Sequence, residues 1–178
     1  MTDIALSTFH FCPHCGSTCF ATVEGEPRAR HCSSCGFTYY INPAAAVAAL
    51  LFDAEGRLLL TRRAHEPAKG TWDLPGGFAE FDESLEIALC RELHEELGLQ
   101  LPPDALTYFT SRPNRYPFGG LTVHTLDAVF RAQLPHDVQL APHDDVDDFR
   151  FFPLSQIDLD SIGLESIRSI LKQVLALK

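Results

Sequence analysis

The sequence predicts a layered α/β or α+β domain preceded by a small cysteine-rich module, and three observations carry that prediction. Short apolar or alternating runs recur between turn signals, as the strands of a sheet do. Two longer segments set their aliphatic residues at helical spacing. Five of the six cysteines fall within the first 35 residues, in a stretch with too few aliphatic residues for a core. The join lies at "INPAAAVAALLF", so the expected division is a module over residues 1–41 and a main domain over residues 42–178.

In the module, Cys12-Pro-His-Cys15 and Cys32-Ser-Ser-Cys35 form two C-x-x-C pairs separated by 16 residues. Each pair sets two thiolates on a tight turn, and two such turns complete a tetrahedral four-cysteine shell for zinc. Gly16 and Gly36 follow the pairs, where a knuckle needs positive φ. Two disulfides or a redox dithiol pair are the rival readings; the paired spacing and the absence of an export signal favour zinc. Cys19, His14 and His31 rank below the four cysteines because none repeats the pair spacing. A four-sulfur shell is closed, so its zinc is structural. Arg28, Arg30 and His31 make a small basic patch beside Glu24 and Glu26, which suits scaffolding better than nucleic-acid binding.

In the main domain, residues 44–52 read as a buried strand and "DAEG" (53–56) as a turn. Residues 57–63 read as a second strand paired back on the first. Residues 69–83, rich in Gly and Pro, form an ordered loop. Leucines at 85, 89, 93 and 97 mark an amphipathic helix over 84–97, and Gly98 ends it. Further strands are expected within 106–112, 121–132 and 147–154, and a last helix over 164–177.

Residues 77–99 hold seven carboxylates in 23 positions. On a wheel of about 100° per residue, Glu92, Glu95 and Glu96 share one face. An apolar core has no use for that face, and a plain solvated helix would pair it with cations at four-residue spacing. Position 92, four before Glu96, is another glutamate, and Arg91 is the one strong cation of the segment. Such hard oxygen ligands suit Mg2+ or Mn2+ shared with water and substrate phosphates. The preceding "LPGGFAEFDE" brings carbonyls and amides to the helix start, where they can meet a metal or an anion.

Gly77, five residues, Glu83, seven residues, then Arg91-Glu92-Leu93-His94-Glu95-Glu96-Leu97-Gly98-Leu99 resembles the Nudix box at each defined position. "GTWDLPGG" (70–77) is similar to the lead-in common in that family. The resemblance implies an α/β fold, the Nudix α/β/α sandwich, here with an N-terminal zinc ribbon. It implies hydrolysis of the pyrophosphate linkage of a nucleoside diphosphate derivative, with Mg2+ or Mn2+ as cofactor. Glu92, Glu95 and Glu96 become metal ligands, Glu92 also a candidate base, and the carbonyl of Gly76 or Gly77 completes the site. Glu83 and Arg91 become an orienting ion pair. Asp145 and Asp148 align with a region that supplies a further acidic ligand or base in related enzymes; a solvated turn is the equal alternative there.

A zinc ribbon before a Nudix domain is similar to the NADH pyrophosphatases. "SRPNRYPFGG" (111–120) echoes their S-Q-P-W-P-F-P motif but has an insertion and no tryptophan, so NADH, FAD and ADP-ribose stay open as substrates. Arg112, Arg115, Tyr116 and Phe118 are the substrate-binding candidates, while Phe109 and Trp72 are read as packing. The rival functions are a nucleotide sensor of the same fold and an RNA-end hydrolase using the ribbon for RNA. The net charge of −10 disfavours broad nucleic-acid binding. No stretch approaches the ~20 apolar residues of a membrane span. "MTDIALSTFHFCPHC" lacks the features of a secretory signal, so a cytoplasmic protein is expected. Many enzymes of the resembled family are dimers, which makes a homodimer an open expectation.

Overall fold

The computed structural model describes residues 9–177; the residues before Phe9, read above for a leader, lie outside them. Three short strands pair in sequence order as β1 (Phe20–Val23), β2 (Glu26–Cys32) and β3 (Thr38–Tyr40). Both pairings are antiparallel. Cys12, Phe20 and Cys32 form a small buried cluster with Phe9 and Phe37 against it. The described residues up to Pro43 make one compact unit with Arg115–His124. Ala44–Asn114 and the residues from Thr125 onward make the other.

The second unit is built on β4 (Ala44–Phe52) and β5 (Leu58–Arg63), followed by the two-residue β6 (Trp72–Asp73) and helix α1 (Leu85–Leu97). Then come β7 (Thr107–Phe118), β8 (Leu121–Gln133), β9 (Val146–Phe152) and helix α2 (Glu165–Ala176). The sheet runs in the order β6-β5-β4-β8-β7, with β9 also on β5. β4 and β8 are parallel, in register from Ala44 opposite Thr125 to Phe52 opposite Gln133.

The continuous apolar run of β4 has a direct cause: both its faces are covered, as in parallel sheets generally. Val47, Ala49 and Leu51 pack with Ala88, Leu89, Leu93 and Leu97 of α1. Ala48 and Leu50 pack with Ile167, Ile170, Leu171 and Val174 of α2. The result is the helix–sheet–helix layering that the sequence resemblance implies. Helix α1 is capped at both ends, by Gly98 as its sequence predicts and by Ser84, which the expected span had placed inside the helix. Ser84 Oγ accepts the Ile87 N–H, and Gly98, at φ 66°, donates to His94 O while Leu99 N donates to Leu93 O.

Two expectations need correction. β5 meets β4 only at Phe52–Leu58; its long pairing is with β9, from Leu58 opposite Phe152 to Arg63 opposite Val146. The edge of β4 that β5 would have taken is filled by the glycine loop: Val47 N and Ala49 N donate to Gly77 O and Pro75 O, and Ala79 N to Ala45 O. The other correction concerns 113–118, which continues β7 and turns back through Gly119 and Gly120, both at positive φ.

The turn after β4 is organised by Asp53, whose Oδ1 accepts from Glu55 N (3.1 Å) and Arg57 N (2.8 Å) and whose Oδ2 accepts from Arg57 Nε (2.6 Å). Burial opposes its charge, but the Arg57 amide and guanidinium outweigh that and hold its pKa below the ordinary value. Asp53→Ala is expected to cost about 1–3 kcal/mol in urea unfolding at neutral pH. A lowered folded-state pKa stabilises above the unfolded value, so the gap between wild type and variant should shrink as pH falls from about 4.

Candidate functional site

Arg91 is the centre of the acidic helix. Its Nε and Nη2 donate to the two oxygens of Glu83 (2.9 and 3.0 Å), a bidentate pair. Its Nη1 donates to Glu92 Oε1 and to Glu95 Oε2, both at 2.9 Å, and its Nη2 also donates to Phe78 O (2.9 Å). One guanidinium thus holds three carboxylates and the glycine loop together. Glu83 Oε2 also accepts the Glu80 N–H at 3.0 Å. With Arg91 beside it first, and Glu80 second, its carboxyl lies below the usual range.

The glycine loop touches the helix at two points. Gly76 N donates to Glu96 Oε2 at 2.9 Å. Gly77 lies so close to Glu92 that a Cβ there would come within 2.5 Å of the carboxylate carbon. At Gly76 a Cβ would sit 2.1 Å from Val47 O, and the φ of 139° is one that glycine alone adopts freely. Of the two carbonyls proposed for a metal, Gly77 O already accepts from Val47 N.

The three glutamates on the shared face are not equivalent. Glu95 is exposed, Glu92 is partly buried and Glu96 is 7% exposed. Burial pushes the Glu96 carboxyl well above the usual carboxylate range, and the charges of Glu92, Asp73 and Asp145 add to it against the Gly76 N–H. Glu92 is raised as well, by burial first, with Glu95 and Asp145 adding and Arg91 opposing. Buried carboxylates short of positive charge are what a hard cation complements. Asp145 therefore reaches the cluster through its charge. Asp148 instead accepts the Phe149 N–H and pairs with Arg150 at 3.4 Å.

The substrate-binding candidates are divided between the two units. Arg112 is engaged with Thr110 Oγ1, Ser111 O and Gln173 Oε1 in the sheet-and-helix unit. Arg115, Tyr116 and Phe118 belong to the cysteine-bearing unit, because β7 runs from one unit into the other. Trp72 packs edge-on against Phe152 with centroids 5.1 Å apart.

Sequence reading missed two buried acids. Asp73 pairs with Arg63 Nη1 at 2.7 Å, and burial raises its pKa, with Asp127 adding. Asp127 accepts the Thr125 hydroxyl at 2.5 Å. A signal for Asp73 existed in the charged residue within "GTWDLPGG". Asp127 carried none.

In the cysteine unit, Sγ atoms of Cys12 and Cys35 are 3.8 Å apart and those of Cys15 and Cys32 are 3.7 Å apart. All four lie within 4.8 Å of one another, and no other such group occurs among the described residues. Zn–S bonds of about 2.3 Å give a tetrahedral edge of about 3.8 Å, so the quartet fits zinc. The two knuckles match: Gly16 N donates to Cys12 O and Gly36 N to Cys32 O, with φ of 73° and 77°. The Cys32 thiol is lowered to about 6: burial opposes this, but the Cys35 and Ser34 amides outweigh it. The Cys35 thiol is pushed up to about 12; the Phe37 amide works against the rise, and burial and the neighbouring thiols outweigh it.

The NUDIX domain profile matches residues 42–174. The ADP-ribose pyrophosphatase of Methanocaldococcus jannaschii is 34% identical over 121 residues, covering 68% of either chain. The NAD-capped RNA hydrolase NudC of Stutzerimonas stutzeri is 28% identical over 152 residues, covering 85% of this chain and 51% of that one. Among solved structures, a NUDIX hydrolase from Nitrosomonas europaea superposes with a TM-score of 0.70 at 27% identity, covering 94% of this chain and 91% of that one.

Removing the hub leaves Glu83, Glu92 and Glu95 without their shared cation. Arg91→Ala is expected to lower stability by about 1–3 kcal/mol in urea unfolding. Arg91→Lys should recover only part, because an ammonium cannot reproduce the fork.

Proposed function

This chain belongs to the NUDIX family, and we propose that it hydrolyses the pyrophosphate linkage of a nucleoside diphosphate derivative with the help of Mg2+ or Mn2+. The observation that carries this reading is the buried, cation-poor Glu96 beside Glu92, both pressed against the Gly76–Gly77 loop. In this reading Glu92, Glu95 and Glu96 hold the ion with the Gly76 carbonyl, the member of the glycine pair not engaged by Val47. A bound divalent ion would neutralise phosphate oxygens and make a bound water more acidic. Glu92 is the candidate to take the proton of the attacking water. Arg91 and Glu83 keep the carboxylates in place, and Asp145 adds negative charge at the rim.

The similarity to a protein named ADP-ribose pyrophosphatase supports a nucleoside diphosphate sugar or dinucleotide as substrate. A second reading, an NAD-capped RNA end, is favoured by the match to a NudC protein over 85% of this chain and opposed by the net charge of −10. Arg112, Arg115, Tyr116 and Phe118 stay candidates for contacting the nucleotide. We further propose that Cys12, Cys15, Cys32 and Cys35 hold a structural zinc, which would let all four sulfurs ionise together. Free cysteines favour a reducing, cytoplasmic setting. Among the described residues no helix is long and apolar enough to cross a membrane.

Incubating the protein with ADP-ribose, FAD, NADH, NAD-capped RNA or nucleoside triphosphates, plus Mg2+ or Mn2+, and identifying the products tests the reading and locates the cleaved bond. Binding without products would support a sensor instead. Glu96→Gln should lower turnover by about 10²-fold or more with an unchanged circular dichroism spectrum; near-normal turnover would overturn the metal-site assignment. Elemental analysis should find one zinc per chain, in line with about one ion per four-cysteine shell. Cys32→Ser should lose that zinc and lower the thermal stability of the cysteine-bearing unit.

A further inference from the structure

We propose that Arg63 and Asp73 form a positioning pair that sets the Gly76 N–H against Glu96, and through it fixes the carboxylate that faces the divalent cation. The proposal rests on the metal reading given above. Arg63 ends β5 and closes the 64–71 excursion with both backbone and side chain. Its N–H donates to Thr71 O and its carbonyl accepts from Gly70 N. Its Nε donates to Pro67 O and its Nη1 to Asp73 Oδ2, both at 2.7 Å. Asp73 passes the constraint on: its Oδ1 accepts the Leu74 N–H at 2.8 Å, the first amide of the glycine loop.

Only Leu74 and Pro75 separate this lock from Gly76, and neither can absorb a shift. Leu74 is 4% exposed in the core, and Pro75 has a fixed φ and a carbonyl held by Ala49 N. Gly76 itself is pressed against Val47 O. A displacement at Asp73 is therefore transmitted to the amide that holds Glu96. A buried ion pair adds little stability beyond what apolar packing would supply, and setting registry is its better-attested use.

The negative charge of Asp73 also reaches Glu96 directly, so position and charge must be separated. Zinc-loaded protein is titrated with Mn2+ in the absence of substrate, following free Mn2+ by electron paramagnetic resonance, and each variant's urea stability is recorded alongside. Positioning predicts that Asp73→Asn and Arg63→Met both raise the Mn2+ Kd by about 10-fold or more, with Arg63→Lys in between. A charge effect alone would weaken binding in Asp73→Asn but tighten it in Arg63→Met, and would overturn the proposal. A purely structural pair would lower stability with Kd unchanged, which also overturns it. If Arg63→Met does not fold, Arg63→Lys decides, because charge alone predicts wild-type binding there. If wild-type binding is insensitive to Glu96→Gln, the metal reading falls, and this proposal with it.

Discussion

From Val47 to Leu51 strand β4 is fully buried, and the rest of the larger unit is arranged around that fact. Its two faces are covered by α1 and α2, one edge by β8, and the other edge by the glycine loop in place of β5. The loop is therefore held by backbone hydrogen bonds to the most buried strand, although its composition is that of a flexible segment. Gly76 and Gly77 are required because the strand on one side and the helix carboxylates on the other leave no room for a side chain.

Both clusters of functional interest solve the same electrostatic problem. Like charges gathered in one place raise one another's pKa and resist ionising together. In the acidic site, Arg91 supplies part of the positive charge and leaves Glu96 short of it. In the cysteine quartet the backbone amides favour one thiolate, while burial and the neighbouring thiols push Cys35 up to about 12. On the proposed reading each arrangement would be completed by an ion whose hardness matches its ligands, oxygen in one case and sulfur in the other.

Much of this was legible in the sequence where the physics is local. The leucines at four-residue spacing, the Gly98 cap and the C-x-x-C knuckles each depend on neighbours within a turn or two, and each appears as expected. The family was legible because the box fixes many positions at once. What failed to show depends on partners distant in the chain. The pairing of β5 with β9 joins residues almost 90 positions apart, and the loop that displaces β5 from β4 is not marked as an edge-former. Asp127 becomes an acid of interest only because β8 lies beside β4. Arg112 and Arg115 look like one cluster in sequence, yet β7 carries them into different units.

The placing of the three glutamates on a single turn of α1 has a mechanical consequence. Within an α-helix their Cα atoms hold fixed separations, set by a rise of about 1.5 Å per residue, and the packed leucines behind them prevent the helix from shifting. That side of the site is a rigid jaw. The opposing jaw, the glycine segment, is no freer: buried Leu74 and Pro75 precede it, and Val47 N and Ala49 N hold Gly77 O and Pro75 O. With neither backbone free to give, a difference in ionic radius would, on the proposed metal reading, be taken up by the glutamate side chains, and first by Glu95, the exposed one of the three.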